Sequence, residues 1–163
     1  MHRERAQTDD ESDEVRTDME ASTGTAAWRV VGLHHVAFAH APGAGPDDAL
    51  CDLLRVEPHE EPGPGFVERM FPAGNAYVQT LEASGEGVVQ KFLDRRGSGL
   101  HHVAFEVDRI DAAVESLRAR GVRLVDEEPR AGGMGTRIAF VHPSAFGGML
   151  VELVELPTGE PAG

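Results

Sequence analysis

The sequence is short of cysteine, of positive charge and of long apolar runs. Cys51 is the single cysteine, so no intrachain disulfide can form and no thiolate cluster can hold a metal. Leu50, Leu53 and Leu54 around it point to a buried helical thiol rather than a nucleophile. Asp and Glu outnumber Lys and Arg by 28 to 15, which leaves a formal charge of −13. That balance argues against nucleic acid or an anionic membrane as a partner. It leaves room for a small anionic ligand, because local charge decides that. No apolar run is long enough to span a bilayer. The polar, acidic start lacks the apolar core of a secretory signal. The expectation is a cytoplasmic protein.

What is present begins after the first 27 residues. Residues 1–27 hold eight acids, three arginines and almost no large apolar side chain, and are expected to form a disordered acidic tail. Beyond them the chain has enough apolar residues for one compact domain. Its most telling feature is a repeat: residues 33–38 read LHHVAF, and residues 100–105 read LHHVAF again, 67 positions later. An ordinary strand repeat keeps an apolar pattern, but it rarely keeps a His-His pair. The repeat points to an internal duplication with a first module over 28–97 and a second over 98–163.

In the second module the pattern reads strand (100–107), helix with Ile110, Val114 and Leu117 as its stripe, then strands near 122–126, 137–142 and 149–156. Asp108 is the expected N-cap and Gly121 the residue that ends the helix. The first module reads strand (31–39), a short helix after Pro46 with Leu50, Leu53 and Leu54 inward, an irregular acidic stretch (55–65), and strands at 66–71 and 76–82. A helix with Val88, Val89, Phe92 and Leu93 buried links the two. The expected fold class is α+β: two paired βαβββ modules that form a curved sheet around a cleft.

Strand alternation allows one histidine of each pair to face a shared site. His102 shares its face with Ala104 and Glu106, so it is the inward candidate, and His35 is its equivalent. His34 and His101 are expected on the opposite face. Gln79 and Glu152 are polar residues inside otherwise apolar strands, and a buried carboxylate needs a partner. Two imidazoles, a carboxylate and an amide oxygen suit a hard or borderline divalent ion. Glu68, in GFVERMF, reads either as an edge-strand acid paired with Arg69 or as a second carboxylate for proton transfer.

These residues resemble the vicinal oxygen chelate superfamily (glyoxalases, bleomycin resistance proteins and dioxygenases), and within it the bacterial methylmalonyl-CoA epimerase family. The resemblance covers about 31–156. It is carried by GLHHVAF, the DEEPR loop, GTRIAFVHP and GGMLVEL. It implies metal ligands His35, Gln79, His102 and Glu152, with Glu68 and Glu152 as the two acid/base groups. It implies a divalent cation, with cobalt, manganese, nickel, zinc and magnesium equally compatible, an acyl-CoA substrate and a homodimer. The implied reaction is inversion at C2 of methylmalonyl-CoA through an enolate. Alternatives are a glyoxalase-like isomerase, an epimerase of a related acyl-CoA, and a non-enzymatic small-molecule binding protein. The first half departs from the family pattern: HAPGAGPDDALCDLLRVEP is short and lacks the usual tyrosine-rich stretch. Arg137 is a candidate for the CoA surface or, equally, an ordinary ion-pair partner.

Overall fold

The computed structural model describes residues 27–158. The acidic tail expected over 1–27 lies outside the described residues except for Ala27. Strand β1 (Val30–His40) is followed by α1 (Asp47–Leu54), β2 (His59–Gly63), β3 (Phe66–Ala73) and β4 (Ala76–Ala83). Helix α2 (Val88–Arg96) leads to β5 (Gly99–Val107), α3 (Ile110–Ala119), β6 (Arg130–Ala131), β7 (Arg137–Val141) and β8 (Val151–Glu155). The order is βαβββ, a linking helix, and βαβββ again.

All eight strands form one curled sheet in the order β2-β3-β4-β1-β5-β8-β7-β6. Each LHHVAF strand lies at the centre, parallel to the last strand of its own run and antiparallel to the other LHHVAF strand. The two faces of the sheet are covered differently. Ile110, Ala113 and Val114 of α3 pack on Val107, Ala139, Val141, Val151 and Leu153. Val89 of α2 packs on Ala37, Ala39, Leu81 and Ala83, with Phe66, Phe92 and Leu93 around it. The second cluster lies on the same strand face as His35 and Gln79. Gly121 ends α3 at φ 74°, a conformation that glycine adopts without strain. No helix among the described residues is long and apolar enough to cross a membrane.

Several expectations change. The stretch read as irregular contains β2, which pairs with β3 from His59 opposite Met70 to Gly63 opposite Phe66. Pro62 is tolerated there because β2 is an edge strand and one side of its backbone has no ladder partner. Residues 122–126 make only a bridge from Leu124 to Val141, and the second strand of that run is the two-residue β6. Leu53 and Val88 are exposed rather than inward, and α1 buries none of its residues fully. Asp108 does not cap α3; its carboxylate accepts from the Arg29 amide at 2.9 Å. The α3 start is capped from β8, where Glu155 Oε2 accepts from the Ile110 amide at 2.7 Å.

Arg69 fastens the first half. It reaches Glu60 at 2.7 Å, Asp47 at 3.0 Å and Glu82 at 3.3 Å, tying α1 to β2, β3 and β4. It does not pair with Glu68.

Glu155→Ala removes the cap from α3 and a contact to Arg137 at 3.3 Å, while Arg137 keeps its two bonds to Asp111. A loss of about 1–2 kcal/mol is expected, the size of a helix cap. It is checked as a lower urea midpoint with an unchanged denaturant slope.

Candidate active site and metal centre

The register of the central strands assembles the site. Gln79 on β4 stands beside Ala37 on β1, which stands beside His102 on β5. His35 on β1 stands beside Ala104 on β5, which stands beside Glu152 on β8. The two rows are equivalent under the internal repeat. Each has a fully buried alanine in the middle and a polar residue on both sides. The small central side chains leave the space above the β1–β5 pair to the long ones.

Three of the four converge directly. His35 Nε2 and His102 Nε2 are 2.9 Å apart, and Glu152 Oε2 lies 3.1 Å from the first and 3.2 Å from the second. All three side chains are buried. Ligands about 2.1 Å from an ion stand about 3.0 Å apart at neighbouring octahedral corners and about 3.4 Å apart in a tetrahedron. The observed spacings fit three adjacent corners of an octahedron, so this cluster has the chemistry and the spacing to hold a divalent ion. Burial raises the Glu152 carboxyl, but hydrogen bonds from His102 and His35 outweigh it and bring the group down to about 2. Burial lowers His102, and its bond to Glu152 offsets part of that. An ionised carboxylate beside a neutral imidazole is the protonation state that ligation requires.

Gln79 and Glu68 occupy the same cavity, which has a volume of about 440 Å³. Gln79 Nε2 donates to Glu68 Oε2 at 2.9 Å, a diagonal contact across β3 and β4. Gln79 Oε1 is buried and has no hydrogen-bond partner among the described residues. A buried acceptor left unpaired is costly, and a cation is one way to satisfy it. The pKa of Glu68 is raised, first by burial and then by Glu61 and Glu152. Two carboxylates in one cavity are therefore driven in opposite directions.

The structure adds residues that the sequence did not single out. Glu61, opposite Glu68 on β2, accepts from His59 at 2.8 Å and from the Met134 amide at 3.1 Å. A Cβ on Gly133 would stand 2.3 Å from Glu68 Oε1, so glycine lets this loop close over the carboxylate. Met134 beside it has φ 54°, a rare conformation for a side-chain-bearing residue. The only signal in the sequence was the glycine content of AGGMG.

His34 and His101 are corrected. They do not face away; both line the cavity with His35 and His102. On β1, Leu33 and His35 pair with the adjacent residues Phe105 and Ala104, so His34 is an extra residue. On β5, His102 and Leu100 pair with the adjacent residues Ala37 and Phe38, so His101 is extra. Such a bulge breaks the alternation of side chains and re-aims one of them. Burial, then the neighbouring histidine, pushes His34 and His101 down to about 4.

Arg137 is committed to Asp111 at 2.6 and 2.7 Å and to Glu155 at 3.3 Å, the ion-pair reading of the two. Cys51 is half-buried rather than buried, and burial and four nearby acids raise its thiol, which disfavours a nucleophile.

Paired βαβββ runs around a buried cluster of two histidines and a carboxylate define the class: a cup-shaped scaffold able to hold a divalent ion. Residues 54–140 match the Glyoxalase/Bleomycin resistance protein/Dioxygenase superfamily, and the chain belongs to it. Among its relatives, the chain is 33% identical over 147 residues to the mitochondrial methylmalonyl-CoA epimerase of Bos taurus, covering 85% of this chain and 84% of that protein. The crystal structure of methylmalonyl-CoA epimerase from Mycobacterium tuberculosis aligns with a TM-score of 0.72 at 39% identity, covering 78% of this chain and 89% of that one. A Streptomyces coelicolor methylmalonyl-CoA epimerase variant in complex with 2-nitronate-propionyl-CoA aligns at 0.73 and 30% identity, covering 80% and 100%.

The two outer histidines set a pH dependence. Burial holds them at about 4, below the ordinary histidine value of 6.5, so between these values the unfolded chain binds protons that the folded protein refuses. Stability of the metal-free protein is expected to fall as pH drops from 6.5 toward 4. His102, also lowered by burial, adds to the fall, and Glu68, raised by burial, opposes it. Urea unfolding at a series of pH values checks it, and the slope flattens when both histidines are replaced by asparagine.

Proposed function

We propose that the protein is a metal-dependent epimerase that inverts C2 of methylmalonyl-CoA by proton transfer between two carboxylates. The observation that carries this reading is the single cavity holding Glu68, Gln79 and the His35/His102/Glu152 cluster. The similarity to methylmalonyl-CoA epimerases supports the choice of substrate. The cavity is large enough for an acyl head group, and the longer carrier arm would lie outside it.

His35, His102, Glu152 and the free oxygen of Gln79 would hold the ion. A bound divalent cation would supply Lewis-acid stabilisation of the negative charge that builds on the substrate oxygen as the C2 proton leaves. The chain's own residues move the proton. Each turnover needs one carboxylate ionised and the other protonated, and the roles exchange with the epimer. Glu68 has the raised pKa and is the readier proton carrier; Glu152 is held ionised. The Gln79 amide fixes the Glu68 carboxylate at 2.9 Å. The loop at Gly133 and Met134 limits its contact with water. Arg130 is the only Lys or Arg lining the cavity among the described residues, a partner for the substrate's own carboxylate.

The same reading takes the working form as a cytoplasmic homodimer. Val30, Val31 and Leu33 at the start of β1 support an apolar contact surface, with 50%, 54% and 42% exposure.

In deuterated water, the metal-loaded protein is expected to invert one methylmalonyl-CoA epimer and to place deuterium at C2. Inversion without wash-in would overturn proton transfer, and no inversion with any of the divalent metals would overturn the function. Glu68→Gln is expected to lower kcat by about 10²–10⁴-fold, the usual share of general acid–base catalysis, and to leave metal affinity unchanged.

A further inference from the structure

We propose that, in the metal-loaded protein, His34 and His101 are positioning residues that hold His35 and His102 as Nδ1–H tautomers, so that both Nε2 lone pairs are turned to the metal. The inference rests on the metal reading of the His35/His102/Glu152 cluster. It gives a role to the half of the His-His repeat that the ligand set leaves over.

Adjacent side chains on a regular strand point to opposite faces and cannot meet. Here they do meet, twice. His34 Nδ1 lies 2.7 Å from His35 Nδ1, and His101 Nδ1 lies 2.8 Å from His102 Nδ1. Both contacts come from the same device, a one-residue bulge in the β1–β5 ladder, once on each strand. The two bulges occupy equivalent positions in the repeat, although the surroundings differ. The His34 ring tilts against Tyr77 with centroids 5.6 Å apart, and the His101 ring against Phe92 at 4.8 Å.

The proton count then has one solution. A neutral imidazole carries one N–H. If Nε2 of His35 offers its lone pair to an ion, the proton sits on Nδ1 and must be donated. The acceptor within reach is His34 Nδ1, so His34 carries its own proton on Nε2. The same holds for His102 and His101. The opposite tautomer of either inner histidine would put a proton where the ion must bind. Ligating histidines ordinarily find this support in a carboxylate or a carbonyl; here each finds it in the residue before it in sequence.

The test compares two replacements at each site. Asparagine Oδ1 and histidine Nδ1 are both one bond from Cγ, so asparagine keeps an acceptor in place. Phenylalanine keeps a ring and removes the acceptor. Co²⁺ affinity of the full-length protein is measured by competition with a chromophoric chelator, together with the visible spectrum of the bound ion. His34→Phe and His101→Phe are expected to weaken binding by about 10–100-fold, the usual cost of losing an outer partner of a ligand. His34→Asn and His101→Asn are expected to stay close to the parent in both affinity and spectrum. Nitrogen-15 NMR of the Zn²⁺-loaded parent, which needs no variant, is expected to show protonated Nδ1 on His35 and His102. Phenylalanine variants that bind like the parent, asparagine variants as weak as the phenylalanine ones, or unprotonated Nδ1 atoms would each overturn the proposal. A parent protein that binds no Co²⁺ would overturn the metal reading as well.

Discussion

The antiparallel pairing of β1 with β5 is the constraint on which the rest depends. Among the described residues it is the only ladder joining the two βαβββ runs, and it places His35 across from Ala104 and His102 across from Ala37. Because the pairing is antiparallel and the sequences match, each strand supplies a histidine to one row and an alanine to the other. The flanking strands β4 and β8 pair in parallel with β1 and β5 and bring Gln79 and Glu152 to the ends of those rows. A slip of one residue in the β1–β5 register would turn every one of these side chains to the other face. The packing of Ala37 and Ala39 under α2 and of Val107 under α3 fixes that register from both sides of the sheet.

Burying Glu152 in this position would be unfavourable alone. The two Nε2 atoms within 3.2 Å compensate it, at the expense of close contact between two imidazoles. A proton can be shared among the three groups, but it leaves two nitrogen lone pairs and a carboxylate competing for one charge. A divalent ion satisfies all three at once. The same cluster therefore serves folding poorly and is suited to hold an ion, a combination typical of functional sites.

Much of this was legible in the sequence, for physical reasons that differ by element. The repeated LHHVAF announced the duplication, and strand period picked His35 and His102 because apolar neighbours occupied the other face. Gln79 and Glu152 stood out because a polar group inside an apolar strand demands a partner. What alternation could not foresee is its own interruption. A bulge shifts pairing by one residue without any change in composition, so His34 and His101 looked outward on paper and face the cavity in the structure. β2 was hidden by Pro62 and by its acids, which an edge strand tolerates. The α3 cap was hidden by distance: Glu155 is 45 residues from Ile110 in sequence, and local capping rules pointed to Asp108.

The difference between the two rows bears on the proposed chemistry more than their symmetry does. Gln79 and Glu152 hold equivalent places, yet one is an amide and the other a carboxylate. A glutamate at position 79 would add a further negative group to the cavity that already holds Glu61, Glu68 and Glu152, and like charges would favour a protonated form of one of them. The amide avoids that and adds something a carboxylate lacks. Its nitrogen donates to Glu68 while its oxygen has no hydrogen-bond partner among the described residues. Glu68 is thus tied by a neutral donor that orients it without neutralising it, and its pKa stays raised by burial. A lysine or arginine in the same place would orient Glu68 as well but would hold it ionised, which would remove the proton that the proposed mechanism asks it to carry. On the proposed reading, an amide is the side chain that could serve a metal with one end and an acid/base group with the other, which would account for rows equal in geometry and unequal in charge.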